Sequence, residues 1–550
     1  MRKLFLICVF CLLCGLQTSA QETIELTGEW EYFAGDSTQY KDYVTLPGAI
    51  QADGKILFKK SVYVPQTWDN QRITLFLERP LGETMLFVNG EKILHQTSLS
   101  TPHQCDVTRW MKPGKRNTIA IYMSNGREKW NGITGCMELR VQPKELYIEK
   151  VRLRPDLANG CVHLSLNAGG PFSWDRFQDY NIFYTIAVVK DGDDPSKAIV
   201  HRRYLNEPHI EYDFVFTDSV YLWDEFRPNL YRIGISLGND YYESTFGLCD
   251  FTDHDSLLYI NTRPMMLRGT VDNHCSDPVC PMYEDEWEAF FSEYKKYGLN
   301  YVLFQSYCPP EAAFQVADRL GLYLQVEVPS GSVEESKRII DTYGHHPSFV
   351  MMSANQKSDS EWEKTMKKYD PTKIYDLKLP LIASGDSLNY KQSIEHNLGT
   401  KGETGFLLPS FKDVVTKMEV ADWTEFCFPI VALAKFPKTV YSNKDTLVVP
   451  IKVYNAMYGS LQDVRKSYYL ADTEQHVLSG GLLSVRDIPI GKNIDIGTVN
   501  YPLNSIIKPT KLTLTVTIAG KLKNHWDFWV YPTDSTEVAD PSATGIPAEN

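Results

Sequence analysis

Hydrophobic and polar residues alternate with a period of two through most of the first quarter of the chain. Short runs such as 73–77 and 118–122 are rich in β-branched and aromatic residues, and turn-forming pairs such as Asn89-Gly90 separate the runs. Strands of this kind bury one face and leave the other in solvent. The pattern therefore predicts a β-sandwich over residues 21–145.

The same style of pattern returns in a second block. Apolar, β-rich runs at 162–166, 182–189 and 231–237 are separated by Gly, Asp and Pro clusters. We therefore predict a second, smaller sandwich over residues 146–255.

The C-terminal part of the chain contains the most regular alternation. Residues 512–518 alternate apolar and polar side chains without interruption, as a half-buried strand does. This indicates a third sandwich over residues 429–533. Residues 534–550 show no periodicity and are predicted to be a flexible tail.

Between the second and third sandwiches, residues 256–428 change to alternating strand and helix patterns. Strand runs at 301–304 and 323–326 enclose an amphipathic helical run, and another helical run follows at 333–343. This order favours parallel strands and a (β/α)8 barrel of the TIM type, whose active face lies at the carboxyl ends of the strands. The region is shorter than the roughly 250 residues of a complete barrel. We therefore predict a shortened, incomplete barrel.

The first residues have the pattern of a targeting signal. Arg2 and Lys3 precede the apolar run 4–16, and Thr18-Ser19-Ala20 provides small residues for cleavage. Residues 1–20 are thus predicted to be a signal peptide, and the protein to be periplasmic or extracellular. No later run reaches the roughly 20 apolar residues of a membrane span, so no span is predicted.

The overall charge of the chain indicates which classes of binding partner are not expected. The formal net charge is −13 and the sequence pI is about 5.5, without a cluster of Lys and Arg. Nucleic acid is therefore not an expected partner. His274, Cys275 and Cys280 lie close together, but their spacing matches no established zinc pattern. We predict no metal and no cofactor.

Several short strings, in this order, resemble one enzyme family. They are Leu86-Phe87-Val88-Asn89-Gly90, Leu222-Trp223, Pro228-Asn229-Leu230-Tyr231, Leu267-Arg268-Gly269-Thr270 and Tyr343-Gly344-His345-His346-Pro347-Ser348. Together they resemble glycoside hydrolase family 2, the β-galactosidase and β-glucuronidase type. The resemblance implies a galactose-binding-like jelly-roll, an immunoglobulin-like sandwich, a TIM-type barrel and a C-terminal β-sandwich. It also implies an O-glycosyl hydrolase acting on β-linked oligosaccharides or glycosides.

The resemblance also assigns catalytic positions. Retaining glycosidases use two carboxyl groups about 5 to 5.5 Å apart, one as nucleophile and one as acid and base. In the family the acid is the Glu of an Asn-Glu pair after the fourth strand, where this chain has Asn355 and Gln356. The Gln356 amide has no ionisable proton. Glu403 is the match for the family's nucleophile near the seventh strand, and a solvated loop carboxylate is the alternative.

Polar residues at other strand ends complete the predicted site. Asn355, Glu327, Gln305 and Asp272 are expected to line the substrate pocket. Glu327 is also a candidate to substitute as the acid, and a purely structural hydrogen bond is its alternative role.

Three functional hypotheses follow. The protein is an exported glycosidase with an impaired or altered acid and base, a catalytically degenerate glycan-binding protein, or a sandwich-based scaffold of a glycan-uptake system. Loss of a general acid costs a factor of roughly 10² to 10⁴, so the first two hypotheses differ most on substrates with poor leaving groups.

Overall fold

The computed structural model describes residues 22–35, 41–52, 54–124, 130–171, 182–216, 219–254, 257–272, 281–329, 331–354, 360–484 and 487–533. It divides into two compact units. The first comprises the residues up to Leu381 together with Thr404–Val414, and the second comprises Ile382–Glu403 with the residues from Val415 onward.

The first unit begins with a β-sandwich, as the period-two pattern predicts. Its sheets have the strand orders β1-β12-β6-β9 and β3-β2-β5-β10-β7-β8, with β4 and β11 forming a separate pair. Trp30, Phe58 and Ile121 lie fully buried in its core. The strands are β1 Thr23–Glu25, β2 Gly28–Ala34, β3 Asp42–Leu46, β4 Gly48–Gln51, β5 Ile56–Tyr63, β6 Gln71–Leu77, β7 Glu83–Val88, β8 Glu91–Gln96, β9 His103–Asp106, β10 Arg116–Ser124, β11 Trp130–Ile133 and β12 Met137–Pro143.

A second, smaller sandwich follows in the same unit. Its sheets have the orders β13-β14-β17 and β16-β15-β18-β19, and a short three-stranded sheet of β20, β21 and β22 leads out of it. The strands are β13 Tyr147–Asp156, β14 Cys161–Gly169, β15 Phe183–Lys190, β16 Ile199–Tyr204, β17 His209–Val215, β18 Tyr231–Leu237, β19 Asp240–Phe246, β20 Phe251–His254, β21 Leu257–Ile260 and β22 Arg263–Pro264.

The alternating strand and helix patterns form a six-stranded, all-parallel sheet of order β27-β26-β25-β24-β23-β28. The strands are β23 Leu267–Asp272, β24 Tyr301–Phe304, β25 Tyr323–Val328, β26 Phe349–Ala354, β27 Ile374–Tyr375 and β28 Gly405–Leu408. The helices are α1 Glu284–Lys296, α2 Glu311–Leu320, α3 Val333–Tyr343 and α4 Ser360–Tyr369.

The parallel sheet is curled, but its described residues do not close into an eight-stranded barrel. Leu381 forms a parallel bridge with Leu407 of β28, at the edge opposite β27. In a flat sheet Tyr375 of β27 and Leu381, which lies beyond β28, would be six strand spacings or about 29 Å apart. The six residue steps from Tyr375 to Leu381 span at most about 21 Å, so the sheet must curve. Segment 376–381 thus joins the two edges where further strands of a full barrel would lie.

Curling gives the sheet an inner face and a helix-facing side. Tyr301, Met351 and Leu407 belong to one buried cluster, which defines the inner face. On the other side, the Phe304 ring centroid lies 6.0 Å from that of Trp287 in α1. Because successive side chains of a strand point to opposite faces, position along each strand decides which environment a side chain meets.

The second unit is built around a third sandwich, with sheets of order β29-β31-β34 and β30-β36-β35-β32-β33. The run 512–518 that alternates in the sequence lies within β35. The strands are β29 Ile430–Ala434, β30 Val440–Ser442, β31 Thr446–Asn455, β32 Lys466–Asp472, β33 Val477–Leu482, β34 Gly491–Pro502, β35 Thr510–Ile518 and β36 Leu522–Tyr531. The remaining helices are α5 Ser387–Gly399, α6 Phe411–Val415, which crosses the unit boundary, and α7 Val420–Trp423.

Candidate functional site

Glu327 occupies the position that a catalytic or binding carboxylate needs in a parallel sheet. It is the second-last residue of β25, and it pairs in register with Ser353 of β26. It lies two positions beyond Gln325, on the inner face. The Ser306 hydroxyl donates a hydrogen bond of 2.7 Å to Glu327 Oε1. The carboxylate is half-buried, so one hydroxyl orients it while part of it stays accessible.

A buried chain of polar side chains lies below Glu327 on the inner face. Gln325 Oε1 accepts a hydrogen bond from Tyr301 Oη, and its Nε2 donates to Ser353 Oγ at 2.9 Å and to the Leu377 carbonyl at 3.3 Å. These bonds fix the orientation of the amide and tie segment 376–381 to the sheet. Sequence reasoning missed Gln325 and Ser353. A polar residue inside an otherwise apolar buried strand is the signal that points to them.

Asp272 does not line this site, which corrects its prediction as a substrate-binding residue. It pairs in register with Phe304, whose ring packs on α1, so its side chain lies on the helix-facing side. Tyr307 Oη donates to Asp272 Oδ1 at 3.0 Å, and Tyr294 of α1 also hydrogen-bonds to the carboxylate. Only 1% of Asp272 is exposed. Its role is to hold buried hydroxyl groups beneath the helix layer.

The buried surroundings of Asp272 also change the pKa of the two tyrosines that donate to it. Burial, and after it the charge of Asp272, raises the pKa of Tyr294 and that of Tyr307 well above the ordinary tyrosine value. Both phenols therefore remain protonated donors to Asp272.

Three other predicted site residues stay predictions. Gln305 follows β24 directly and its side chain is exposed. Asn355 and Gln356 lie outside the described residues. Ala354, which precedes them, ends β26, the strand next to the one that carries Glu327.

The chain position of Glu403 weighs against its predicted role as nucleophile. Glu403 comes before β28, and the carbonyl of the next residue, Thr404, accepts a hydrogen bond of 2.9 Å from the Leu267 amide at the start of β23. This is the amino end of the parallel strands, whereas barrel nucleophiles project from the carboxyl ends. Within the second unit, burial lowers the pKa of Lys492 to about 8, and the charge of Glu403 opposes this shift.

The second unit has a polar cleft that the sequence did not indicate. A cavity of about 320 Å³ opens on the sheet of β32, β35 and β36. Lys511 pairs with Asp527 at 2.7 Å, and Glu425 accepts from Lys523 at 2.9 Å and from His525 at 2.5 Å. The cations are thus matched by carboxylates, and the cleft offers hydrogen bonds rather than net charge. Its lining includes Tyr469, Lys511, Thr513, Lys523, His525 and Asp527.

Curated proteins with related sequences are glycosidases by name. The chain is 22% identical over 300 residues to a beta-galactosidase of Thermoanaerobacter pseudethanolicus, covering 50% of this chain and 39% of that protein. It is 23% identical over 336 residues to a putative beta-glucuronidase of Formosa agariphila, covering 54% of this chain and 39% of that one. Each match therefore spans about two-fifths of the relative's length. A family model for a domain of unknown function (DUF8488) matches residues 445–532.

Solved structures resemble nearly the whole chain. A beta-D-mannosidase from Dictyoglomus thermophilum superposes with a TM-score of 0.68 at 12% identity, covering 92% of this chain and 89% of that one. A beta-glucuronidase from Bacteroides uniformis gives 0.63 at 13% identity, covering 93% and 80%. The chain is therefore similar to glycosidases of the glycoside hydrolase family 2 type. The resemblance predicted from the short sequence strings is thereby confirmed.

Over the described ranges, none of the helices combines the length and the apolar character that crossing a bilayer requires.

Proposed function

We propose that this family 2-like protein is an exported glycoside hydrolase acting on β-linked glycosides, with Glu327 supplying the proton that Gln356 cannot supply. The observation that carries the proposal is the placement of Glu327. It is a half-buried carboxylate on the inner face, at the carboxyl end of a parallel strand, and it is oriented by Ser306. The names of the related proteins support β-glycosides as the substrate class.

The neighbouring strand explains why Glu327 can take this role. Gln356 follows β26 in the chain, and β25 lies beside β26. Adjacent strands are about 4.8 Å apart, so a carboxyl group on β25 reaches the same sugar ring as a residue following β26. An amide cannot alternate between acid and base, whereas a carboxyl group can. Export rests on the signal-like residues 1–20.

The test compares substrates that need protonation with substrates that do not. Nitrophenyl β-glycosides carry a good leaving group, and unactivated β-linked disaccharides carry a poor one. We expect Glu327→Gln to lower disaccharide turnover by a factor of roughly 10² to 10⁴ and to affect the nitrophenyl substrates much less. Gln356→Glu should raise disaccharide turnover.

Glu403→Gln serves as the control for the test, because its position before β28 predicts unchanged turnover. If neither the native protein nor Gln356→Glu cleaves any of these glycosides while oligosaccharides still bind, the protein is a glycan-binding relative and the hydrolase proposal fails. Equal losses on both substrate classes in Glu327→Gln would rule out the acid role alone.

A further inference from the structure

Three potential metal ligands converge at one end of the second sandwich. Asp156 is the last residue of β13 and Cys161 is the first of β14, and the strand register pairs them directly. His163 lies two positions along β14 from Cys161, on the same face. The Cys161 thiol, the His163 ring nitrogen and the Asp156 carboxylate present ligand atoms that all lie within 4.8 Å of one another. These residues have no role in the proposed glycosidase site.

The spacing of these atoms is close to that of a tetrahedral zinc site. His163 Nε2 lies 3.0 Å from Asp156 Oδ2 and 3.9 Å from Cys161 Sγ. With usual zinc bond lengths, a tetrahedral site has N···O and N···S separations of about 3.3 and 3.5 Å. Shifts of a few tenths of an ångström would therefore bring both of these pairs to the separations of a tetrahedral site, and the third pair, Asp156 with Cys161, lies within 4.8 Å.

Neighbouring side chains already orient two of the three groups. Asp213 of β17 lies opposite His163, and its Oδ1 is 2.6 Å from His163 Nδ1. A carboxylate on one ring nitrogen holds the proton there and leaves the other nitrogen for a metal. Asn159 donates to the Asp156 carboxylate from its backbone amide at 3.1 Å and from its side chain at 2.8 Å.

We propose that Asp156, Cys161 and His163 bind a divalent transition-metal ion, with zinc as the ion that this set of oxygen, sulfur and nitrogen donors fits. Three protein ligands leave a fourth position for water or another ligand. A thiolate and an imidazole disfavour magnesium and calcium, which take oxygen ligands. Within the described ranges, no other group of three His, Cys, Asp or Glu side chains converges in this way.

Proton balance makes the binding pH-dependent. Metal binding must displace the thiol proton and any proton on Nε2. Protons are therefore released, and affinity should rise with pH.

The experiment uses the full chain, freed of metal with a chelator, kept reduced and titrated with Zn²⁺ and Co²⁺. We expect one equivalent to bind, with proton release and a thiolate-to-cobalt charge-transfer band. Cys161→Ser should remove the band and lower the affinity at least tenfold. Asp213→Asn, a change at a largely exposed residue that is not a ligand, should keep the band and lower the affinity by a factor of about 10 to 100.

Cys136→Ser is the matched control, because Cys136 is an exposed cysteine of the first sandwich. It should change neither the stoichiometry nor the band. Melting of each metal-free variant shows whether the fold is retained. Absence of the charge-transfer band in the native protein, or a band that survives Cys161→Ser, would overturn the proposal. So would an unchanged affinity in a folded Asp213→Asn variant.

Discussion

The two faces of the parallel sheet use polar side chains in different ways. On the helix-facing side, Arg268 and Asp272 are both about 1% exposed. Arg268 Nη2 lies 3.1 Å from Glu225 Oε2, and Asp272 accepts from two tyrosines. On the inner face, the polar chain begins with buried Gln325 and ends at half-buried Glu327.

This difference distinguishes carboxylates that stabilise the fold from carboxylates that a ligand can reach. The Glu225 carboxylate also accepts from Asn300 Nδ2 at 2.7 Å, and Arg268 Nε donates to the Gly298 carbonyl at 2.7 Å. Such groups are buried and bonded to the protein, so a ligand cannot reach them. Glu327, in contrast, accepts a hydrogen bond from the Ser306 hydroxyl and is only half-buried. A strand-end carboxylate is therefore a site candidate only when it faces inward.

The largest expected effect on stability comes from breaking the buried ion pair between Arg268 and Glu225. Glu225→Ala leaves the Arg268 guanidinium buried without its carboxylate, which should lower the free energy of unfolding by about 3 to 5 kcal/mol. Chemical denaturation of the full chain, followed through the transition of the first unit, measures this. Lys150→Ala, which removes an exposed partner of Asp341, is the control and should cost less than about 1 kcal/mol. A small loss in Glu225→Ala would show that the helix-facing pair is not structural.

A matched pair of substitutions compares the two faces directly. Asp272→Ala leaves two buried tyrosine hydroxyls without their acceptor and should lower the free energy of unfolding by about 1 to 3 kcal/mol. Glu327→Ala removes a half-buried group with one hydroxyl donor and should cost under about 1 kcal/mol. The same denaturation series measures both variants. A reversed order would contradict the assignment of faces.

The smallest expected effect is a pH dependence of the stability, caused by the two tyrosines on the helix-facing side. The pKa of Tyr294 and that of Tyr307 are raised above the ordinary value of 10.0, chiefly by burial and then by Asp272. Their neutral forms favour the folded state, so this stabilisation is complete below about pH 10 and is lost as the pH rises further. Denaturation midpoints measured across alkaline pH test this. Tyr307→Phe should flatten the dependence, and an unchanged slope would contradict it.

The sequence predicted the sandwiches and the strand-helix rhythm well, because each depends on local periodicity. It also placed Glu327 correctly at a strand end. Asp272 has the same local signature, a carboxylate at the end of an apolar run, yet its side chain lies on the other face. No local pattern distinguishes the two residues, because the face is set by which strands pair and how the sheet curls.

Glu403 and the metal-ligand cluster also show that a local sequence pattern does not predict which residues the strand pairing brings together. The short motif around Glu403 gave no information on β28, whose pairing with β23 places the preceding residues at the amino end of the strands. Cys161 and His163 are visible in the sequence as neighbours two positions apart. Asp213 joins them only through the pairing of β14 with β17.

The sequence by itself thus determined the element types, their order and the family resemblance, because side-chain periodicity and turn residues act over a few positions. The tertiary structure alone decided on which face of the sheet each strand-end carboxylate lies. It also decided that Thr404 lies at the amino end of the strands, and which residues surround His163. Those outcomes depend on strand pairing and sheet curvature, which bring together residues far apart in the chain.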